Sequence, residues 1–301
     1  MNLIDTGLTA WRRRYWRGST EALQRFSGLK PFTVITGASE GIGRAFAIEC
    51  ARRGDNLILI ARGVERLEAV ANELRAQGRG AVVSIPFDVT TMDAAQTIAV
   101  TVGAQGGFVN LLINNAGFGL GGAFQEHSVE KIEAMVQLNV ATPTRLMRAF
   151  LPDMLARGAG GIINVSSLGG YGPGPWQGAY YASKAYVTSL SEAVAYETRG
   201  QGVRILAVAP GPVETAFHAK MGSDWAFYRW MIPSVSAESV ARSGLRAYRF
   251  GRRVVLPGLL SPLLMATMRV TPHVIGLPFL GALLHVGKGT VRRKGSSEGD
   301  A

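Results

Sequence analysis

Tyr180 and Lys184 stand four residues apart in Ala179-Tyr180-Tyr181-Ala182-Ser183-Lys184. On a helix this spacing puts a phenol and an ammonium on one face. Together they form a proton donor with its own activator, because a nearby positive charge favours phenolate and draws the tyrosine pKa toward the working pH. Tyr-x-x-x-Lys also arises by chance on solvated helix faces. Two other features shift the balance here. Ser166-Ser167 places its second serine thirteen residues before Tyr180, and a glycine-rich turn lies far upstream.

The turn is Thr36-Gly37-Ala38-Ser39-Glu40-Gly41-Ile42-Gly43. It follows a short apolar run and opens a helical one, which is the context a dinucleotide pyrophosphate needs. Glycines allow a tight turn and close backbone approach, and the helix N-terminus offers free N–H groups. At the end of the second apolar run, Leu59-Ile60-Ala61-Arg62 has no carboxylate to accept from the ribose hydroxyls of NAD. Arg62 can meet a 2′-phosphate as a planar fork, and Ser39 can add a hydroxyl, so NADP(H) is expected ahead of NAD(H). Glu40 argues the other way, since its carboxylate would repel that phosphate. Asp88, followed by Val89, is placed for the adenine edge, and Asn114-Asn115-Ala116-Gly117 ends the fourth apolar run.

These residues need a frame that brings their loops together. Apolar runs near residues 32–36, 56–61, 81–87, 109–113, 161–165 and 203–209 alternate with helical stretches, including one over 91–102, a long one over 129–155 and another over 177–199. A short last strand is expected at 253–256. Strands alternating with helices predict parallel pairing in an α/β, doubly wound (Rossmann) sheet of three layers, α/β/α. Ligands of such sheets bind at the carboxyl ends of the strands.

In this order and spacing, the motifs resemble the short-chain dehydrogenase/reductase family over about residues 31–257. The resemblance rests on Thr36 to Gly43, Asp88, Asn114 to Gly117, Asn139, Ser167, Tyr180, Lys184 and Pro210-Gly211 with Thr215. Ala61-Arg62 and the apolar C-terminal part resemble the bacterial branch of long-chain ketoacyl and 17β-hydroxysteroid reductases. The resemblance implies an enzyme acting on CH–OH donors with NAD(P). Tyr180 would be its general acid or base, and Lys184 would hold the nicotinamide ribose and lower the tyrosine pKa. Ser167 would steady the substrate oxygen, with Ser166 as its competitor, and Asn139 would hold a relay water behind Lys184. The cofactor would also touch Thr36, Gly37, Ser39, Gly41, Ile42, Gly43, Asn115, Ala116 and Gly117. Pro210, Gly211, Val213 and Thr215 would hold the carboxamide. Tyr181, one residue off the lysine's face, is expected to pack. No metal is expected, because His127, His218, His273 and His285 lack ligand spacing.

Composition bounds the rest. The chain has 301 residues and one cysteine, Cys50, which is expected to be a buried apolar filler in a reducing compartment. Residues 1–30 carry six basic and two acidic side chains, a net of +4; residues 31–241 carry sixteen and seventeen, −1; residues 242–301 carry ten and two, +8. A nearly neutral middle excludes a generic nucleic-acid-binding body. Basic flanks beside apolar segments suit an anionic membrane surface or acidic ligand, a basic background being the alternative. With no secretory leader evident, the protein is expected in the cytoplasm, associated with the inner face of the membrane.

The expected parts are a basic amphipathic segment over 1–30, the catalytic domain over 31–257, an apolar helical extension over 258–287, and a disordered polar tail over 288–301. Residues 254–287 hold one formal charge, Arg269, and four prolines. Two short helices lying on a membrane or on the protein are expected there, ahead of a true span of roughly 20 apolar residues. Phe217, Trp225, Phe227, Tyr228 and Trp230 would form a lid over a hydrophobic, lipid-like substrate. A homo-oligomer paired through the long helices is expected. The rival reading is a non-catalytic NADP-binding redox sensor or membrane scaffold.

Overall fold

The computed structural model describes residues 19–222 and 233–285. Most of the basic N-terminal segment, the polar tail, and Trp225, Phe227, Tyr228 and Trp230 of the expected lid lie outside these residues.

Seven parallel strands form one sheet: β1 (Lys30–Thr36), β2 (Asn56–Ala61), β3 (Val82–Pro86), β4 (Gly107–Asn114), β5 (Gly160–Val165), β6 (Val203–Val208) and β7 (Val254–Val255). Their spatial order is β3-β2-β1-β4-β5-β6-β7. The order reverses between β1 and β4, so the loops leaving these two strands part and open a crevice. Central strands read as unbroken apolar runs because both faces are covered. Ile35, Leu57, Leu59 and Leu206 face one core, against α2 (Gly41–Arg52), α3 (Val64–Arg75) and α9 (Ala237–Arg249). Val34, Ile58, Ile60 and Ile205 face the other, against α4 (Ala94–Ala104), α6 (Thr142–Arg157) and α7 (Gly178–Glu197).

Cys50 is wholly buried in the first core, and burial pushes its thiol up to about 12, which fits an inert filler. A short helix α1 (Thr20–Arg25) precedes the sheet. Its cap is Ser19, whose hydroxyl accepts from the Ala22 N–H at 3.0 Å.

Two features depart from the expected pattern. The long helical stretch over 129–155 is continuous but not regular: α5 (Val129–Val136) passes into α6 through a π-helical turn, Gln137–Ala141. The wider turn inserts a residue and re-aims Asn139 inward, a distortion that apolar periodicity does not report. Thr142 closes the turn by donating its hydroxyl to the Gln137 carbonyl at 2.8 Å. The helix after β3 begins at Ala94 rather than Thr91, because the Asp88 carboxylate takes hydrogen bonds from the Thr90 N–H and hydroxyl at 2.9 and 2.8 Å and holds the chain in a turn.

Beyond β7 the chain forms α10 (Ser261–Val270) and α11 (His273–Leu284). Both lie on the catalytic body. Leu284 is buried against Tyr181, and the Trp176 indole N–H donates to the Gly281 carbonyl at 2.9 Å.

The tightest backbone approach lies under the glycine turn. A Cβ on Gly43 would meet the Gly37 carbonyl oxygen at 2.1 Å and Asn115 Nδ2 at 2.4 Å. In contrast, a Cβ on Gly103, in α4, would meet nothing within 4 Å. Gly43→Ala should therefore lose about 1–3 kcal/mol of stability by overpacking. Gly103→Ala should be neutral or gain up to about 1 kcal/mol from helix propensity. Urea denaturation of the two variants checks the contrast, and equal midpoints would refute it.

Candidate active site

At the end of β1 the chain enters the glycine turn with Gly37 at φ 67° and Gly41 at φ 55°, values that favour glycine. The turn is clamped to β4. The Thr36 hydroxyl accepts from the Asn115 and Ala116 N–H groups at 3.0 and 3.1 Å. The Asn115 amide donates to the Thr36 and Gly37 carbonyls at 3.0 and 3.1 Å. Thr36 and Asn115 therefore shape the turn. The N-cap of α2, Glu40, makes no side-chain capping bond, which leaves the first helical N–H groups free for an anionic ligand. A Cβ on Gly41 would stand 3.3 Å from Thr215 Cγ2, so the turn and the loop after β6 nearly touch. These observations fit a dinucleotide whose pyrophosphate lies against the turn.

α7 buries one face: Tyr180, Ser183, Lys184, Val187, Thr188, Ser191 and Ala195. Tyr180 and Lys184 thus share a face, with the ammonium 5.8 Å from the phenol ring centre. Lys184 donates to the Val165 carbonyl at 2.9 Å, and burial lowers its ammonium pKa to about 8. Behind it, the Asn139 amide accepts from the Phe118 N–H at 3.1 Å and donates to the Phe118 carbonyl at 2.8 Å and to Ser183 Oγ at 3.1 Å. Asn139, Lys184 and Asn114 line a cavity of about 10 Å³, the size of one water, and Asn114 Oδ1 is buried there without a hydrogen-bond partner.

The two serines separate. Ser166 is buried, and its hydroxyl donates to the Lys184 carbonyl at 2.9 Å beside Thr188 Oγ1 at 2.6 Å, a structural role. Ser167 is half-buried beside the catalytic face of α7, and its hydroxyl accepts from the Gly169 N–H at 3.1 Å. Tyr181 packs, as expected, against Leu280, Leu283 and Leu284. Tyr180 is buried with Met135 and Met221, its ring 5.6 Å from that of Phe217 in the short helix α8 (Phe217–Met221).

A cavity of about 690 Å³ joins these parts. Gly37, Ser39, Gly41, Ile42, Asn115, Ala116, Gly117, Ser167, Tyr180, Lys184, Pro210, Gly211, Val213 and Thr215 all line it. Thr36 and Gly43 lie just beneath the turn. Arg62, Asp88 and Val89 stand outside the cavity, past the carboxyl ends of β2 and β3. Burial raises the Asp88 carboxyl, but the Thr90 hydrogen bonds and the charge of Arg62 outweigh it and hold the group below its ordinary value.

Sequence reasoning missed three contributions. Glu40 does not stand as a bare carboxylate: it pairs with Lys220 of α8 and with Arg66 of α3, the latter at 3.5 Å. Arg66 thereby places a guanidinium beside the glycine turn, signalled only by its place in the first turn of α3. The far wall of the cavity comes from α10 and α11 through Leu264, Met268, Leu280 and Leu283, among others, and only the low charge of that stretch hinted at it.

Comparison with known proteins agrees with this geometry. The family model for short chain dehydrogenases matches residues 31–225. A short chain dehydrogenase of Pseudocercospora fijiensis is 39% identical over 202 residues, which span 66% of this chain and 65% of that protein. A 7beta-hydroxysteroid dehydrogenase of Collinsella aerofaciens is 34% identical over 183 residues, 60% of this chain and 68% of that one. A Sphingobium yanoikuyae short-chain dehydrogenase, solved with NADPH, superposes with a TM-score of 0.69 at 30% identity, covering 80% of this chain and 96% of that one. A Burkholderia phymatum short chain dehydrogenase/reductase, solved with NAD, gives 0.73 at 29%, covering 84% and 96%. The chain belongs to the short-chain dehydrogenase family, a family of oxidoreductases that use a nicotinamide dinucleotide.

The buried ammonium has a measurable signature. Lys184 titrates near 8 in the folded protein and near 10.5 in the unfolded chain, so the unfolded state binds more protons between those values. Stability should therefore rise with pH from about 8 to 10.5, and the cost of the buried charge is fully present below about 8. Denaturation midpoints of the cofactor-free protein across that range, compared with Lys184→Met, should show the extra slope only in the parent protein.

Proposed function

We propose that the protein is an NADP(H)-dependent oxidoreductase that moves a hydride between the nicotinamide ring and the carbonyl or secondary alcohol carbon of a hydrophobic, lipid-like substrate. The observation that carries this reading is the single cavity. It joins the glycine turn, Ser167, Tyr180 and Lys184 at one end to apolar side chains at the other.

The dinucleotide would lie against Gly37, Ser39 and Gly41, with Asp88 and Val89 toward the adenine and Thr215 toward the carboxamide; when bound, it supplies or accepts the hydride. Tyr180 gives a proton to the carbonyl oxygen in reduction and takes one from the alcohol in oxidation. Ser167 donates a hydrogen bond to that oxygen as charge gathers on it. Lys184 holds the ribose hydroxyls and, being positive, favours the phenolate. Asn139 fixes one wall of the small cavity behind Lys184, where a water can carry protons to solvent. One relative is named a 7beta-hydroxysteroid dehydrogenase, and a steroid alcohol is in keeping with the apolar end of the cavity. Pairing of two copies through the long helices α6 and α7 is part of the same proposal.

The first test is NADPH oxidation against ketones of increasing hydrophobicity. Tyr180→Phe should lose at least about 10²-fold in kcat, the scale of a positioned acid, while the cofactor still binds. Unchanged behaviour in that variant, with tight cofactor binding and no turnover by either protein, would favour the redox-sensor reading.

Cofactor choice has its own test. Arg62→Ala should raise the KM for NADPH roughly tenfold or more, by removing a charge-assisted contact with the 2′-phosphate, and spare NADH. Glu40→Gln frees Arg66 and Lys220 from an exposed pairing, so its gain for NADPH should stay within about fivefold. An NADH preference in the parent protein would defeat the Arg62 assignment and leave the roles of Tyr180 and Lys184 standing.

A further inference from the structure

The helices α10 and α11 present two apolar surfaces. Their inner side chains, among them Leu264, Met268, Leu280 and Leu283, line the cavity. On their outer side Leu263, Val270, Val274 and Ile275 are 63%, 78%, 81% and 63% exposed, and none of the four lines the cavity. Leu277 and Phe279 belong to both sets: they line the cavity and are also exposed. They therefore form part of its rim, so the cavity opens on the same side of the molecule as the outer apolar patch. One layer of helix separates the substrate space from whatever covers that patch.

Charge selects what covers it. Between Glu238 and Glu298 the chain carries no carboxylate and ten lysine or arginine side chains. Four of the ten, Lys288, Arg292, Arg293 and Lys294, follow α11 directly. Arg242 and Arg269 pair with Glu49 and Glu192, but the stretch after α11 holds no carboxylate before Glu298, and two copies meeting through this face would set that basic flank against its own image, because a two-fold interface pairs each patch with itself. An anionic lipid surface offers the apolar patch hydrocarbon and the flank its counter-charge. At a 1.5 Å rise per residue, α10 and α11 are roughly 15 and 18 Å long, well short of a 30 Å hydrocarbon core. Among the described residues no helix is long and apolar enough to cross a membrane. Too short to cross, the two helices can meet a bilayer only along their exposed outer side.

We infer that the outer face of α10 and α11 docks on an anionic lipid bilayer, and that substrate passes between the bilayer and Tyr180 through the cavity mouth edged by Leu277 and Phe279. Docking stands on the patch and the charge alone; the passage of substrate rests on the oxidoreductase reading above. Trp176 supports the arrangement. Its indole holds α11 at Gly281, and its ring stands edge-on to His285 with ring centres 4.9 Å apart, so the helix on the bilayer is tied to the loop that leads into α7.

The test uses the full-length protein and the double variant Val274→Glu/Ile275→Glu, whose side chains lie off the cavity. Flotation is measured with phosphatidylcholine vesicles, with and without phosphatidylglycerol, at low and high salt. The parent protein should float with the anionic vesicles and release in high salt, and the double variant should bind roughly tenfold more weakly. Turnover of a water-soluble ketone should be the same in both, whereas turnover of a long-chain ketone loaded in anionic vesicles should fall roughly tenfold in the variant.

Failure of the parent protein to float would overturn the docking, as would flotation that the variant leaves unchanged. A dimer in light scattering that the variant dissolves, without vesicle binding, would assign the face to a second copy instead. Equal losses on the soluble and the vesicle-borne ketone would overturn the passage of substrate alone. Absence of turnover on every ketone would strike the oxidoreductase reading, while flotation would still decide the docking.

Discussion

The clamp between the ends of β1 and β4 governs the rest of the molecule. Asn115 and Ala116 give four hydrogen bonds to Thr36 and Gly37 across the point where the sheet order reverses, and a side chain at Gly37 or Gly43 would break the fit. From this clamp a line of contacts reaches the chemistry. A Cβ on Gly117, just past β4, would stand 2.9 Å from Asn139 Oδ1 and 3.6 Å from Lys184 Nζ. The backbone that leaves the clamp is therefore the backbone packed against Lys184 of α7. A shift of a few tenths of an ångström at the turn would pass through close-packed neighbours to that lysine.

Much of this could be read in the residues themselves, for a physical reason. Strands buried on both faces appear as short unbroken apolar runs, and the motifs at their carboxyl ends are local in sequence. Tyr180 and Lys184 share a face because a regular helix obeys its own period, and the same period sets Tyr181 aside to pack. What stayed hidden depends on irregularity or on distance. The π-helical turn that aims Asn139 inward inserts one residue and leaves no trace in the apolar pattern. Glu40 reads as an obstacle to a 2′-phosphate until the fold brings up Lys220, 180 positions away along the chain. α11 is apolar nearly all round, without the contrast of faces that tells which side is covered; only its contacts separate an inner surface from an outer one.

Polar and apolar demands meet in one cavity, and the fold divides them cleanly. Groups that must hold protons or charge come from the sheet's carboxyl edge and from α7, elements locked by two cores. Apolar lining comes from α10 and α11, which are tied to the body at Trp176, at Leu284 and through Arg269 to Glu192. Trp176 sits at φ 64°, a backbone conformation that costs a non-glycine residue of order 1–3 kcal/mol. A glycine would relieve that cost and forfeit the indole, so the strain is the backbone's share in holding the far wall.

The matched family region ends at residue 225, and the wall formed by α10 and α11 begins only at Ser261. One wall of the cavity is thus written outside the matched stretch, although Leu168 and Met221 within that stretch line the cavity too. Mutation or recombination downstream of β7 can redraw that wall while the clamp, Lys184 and Tyr180 stay untouched.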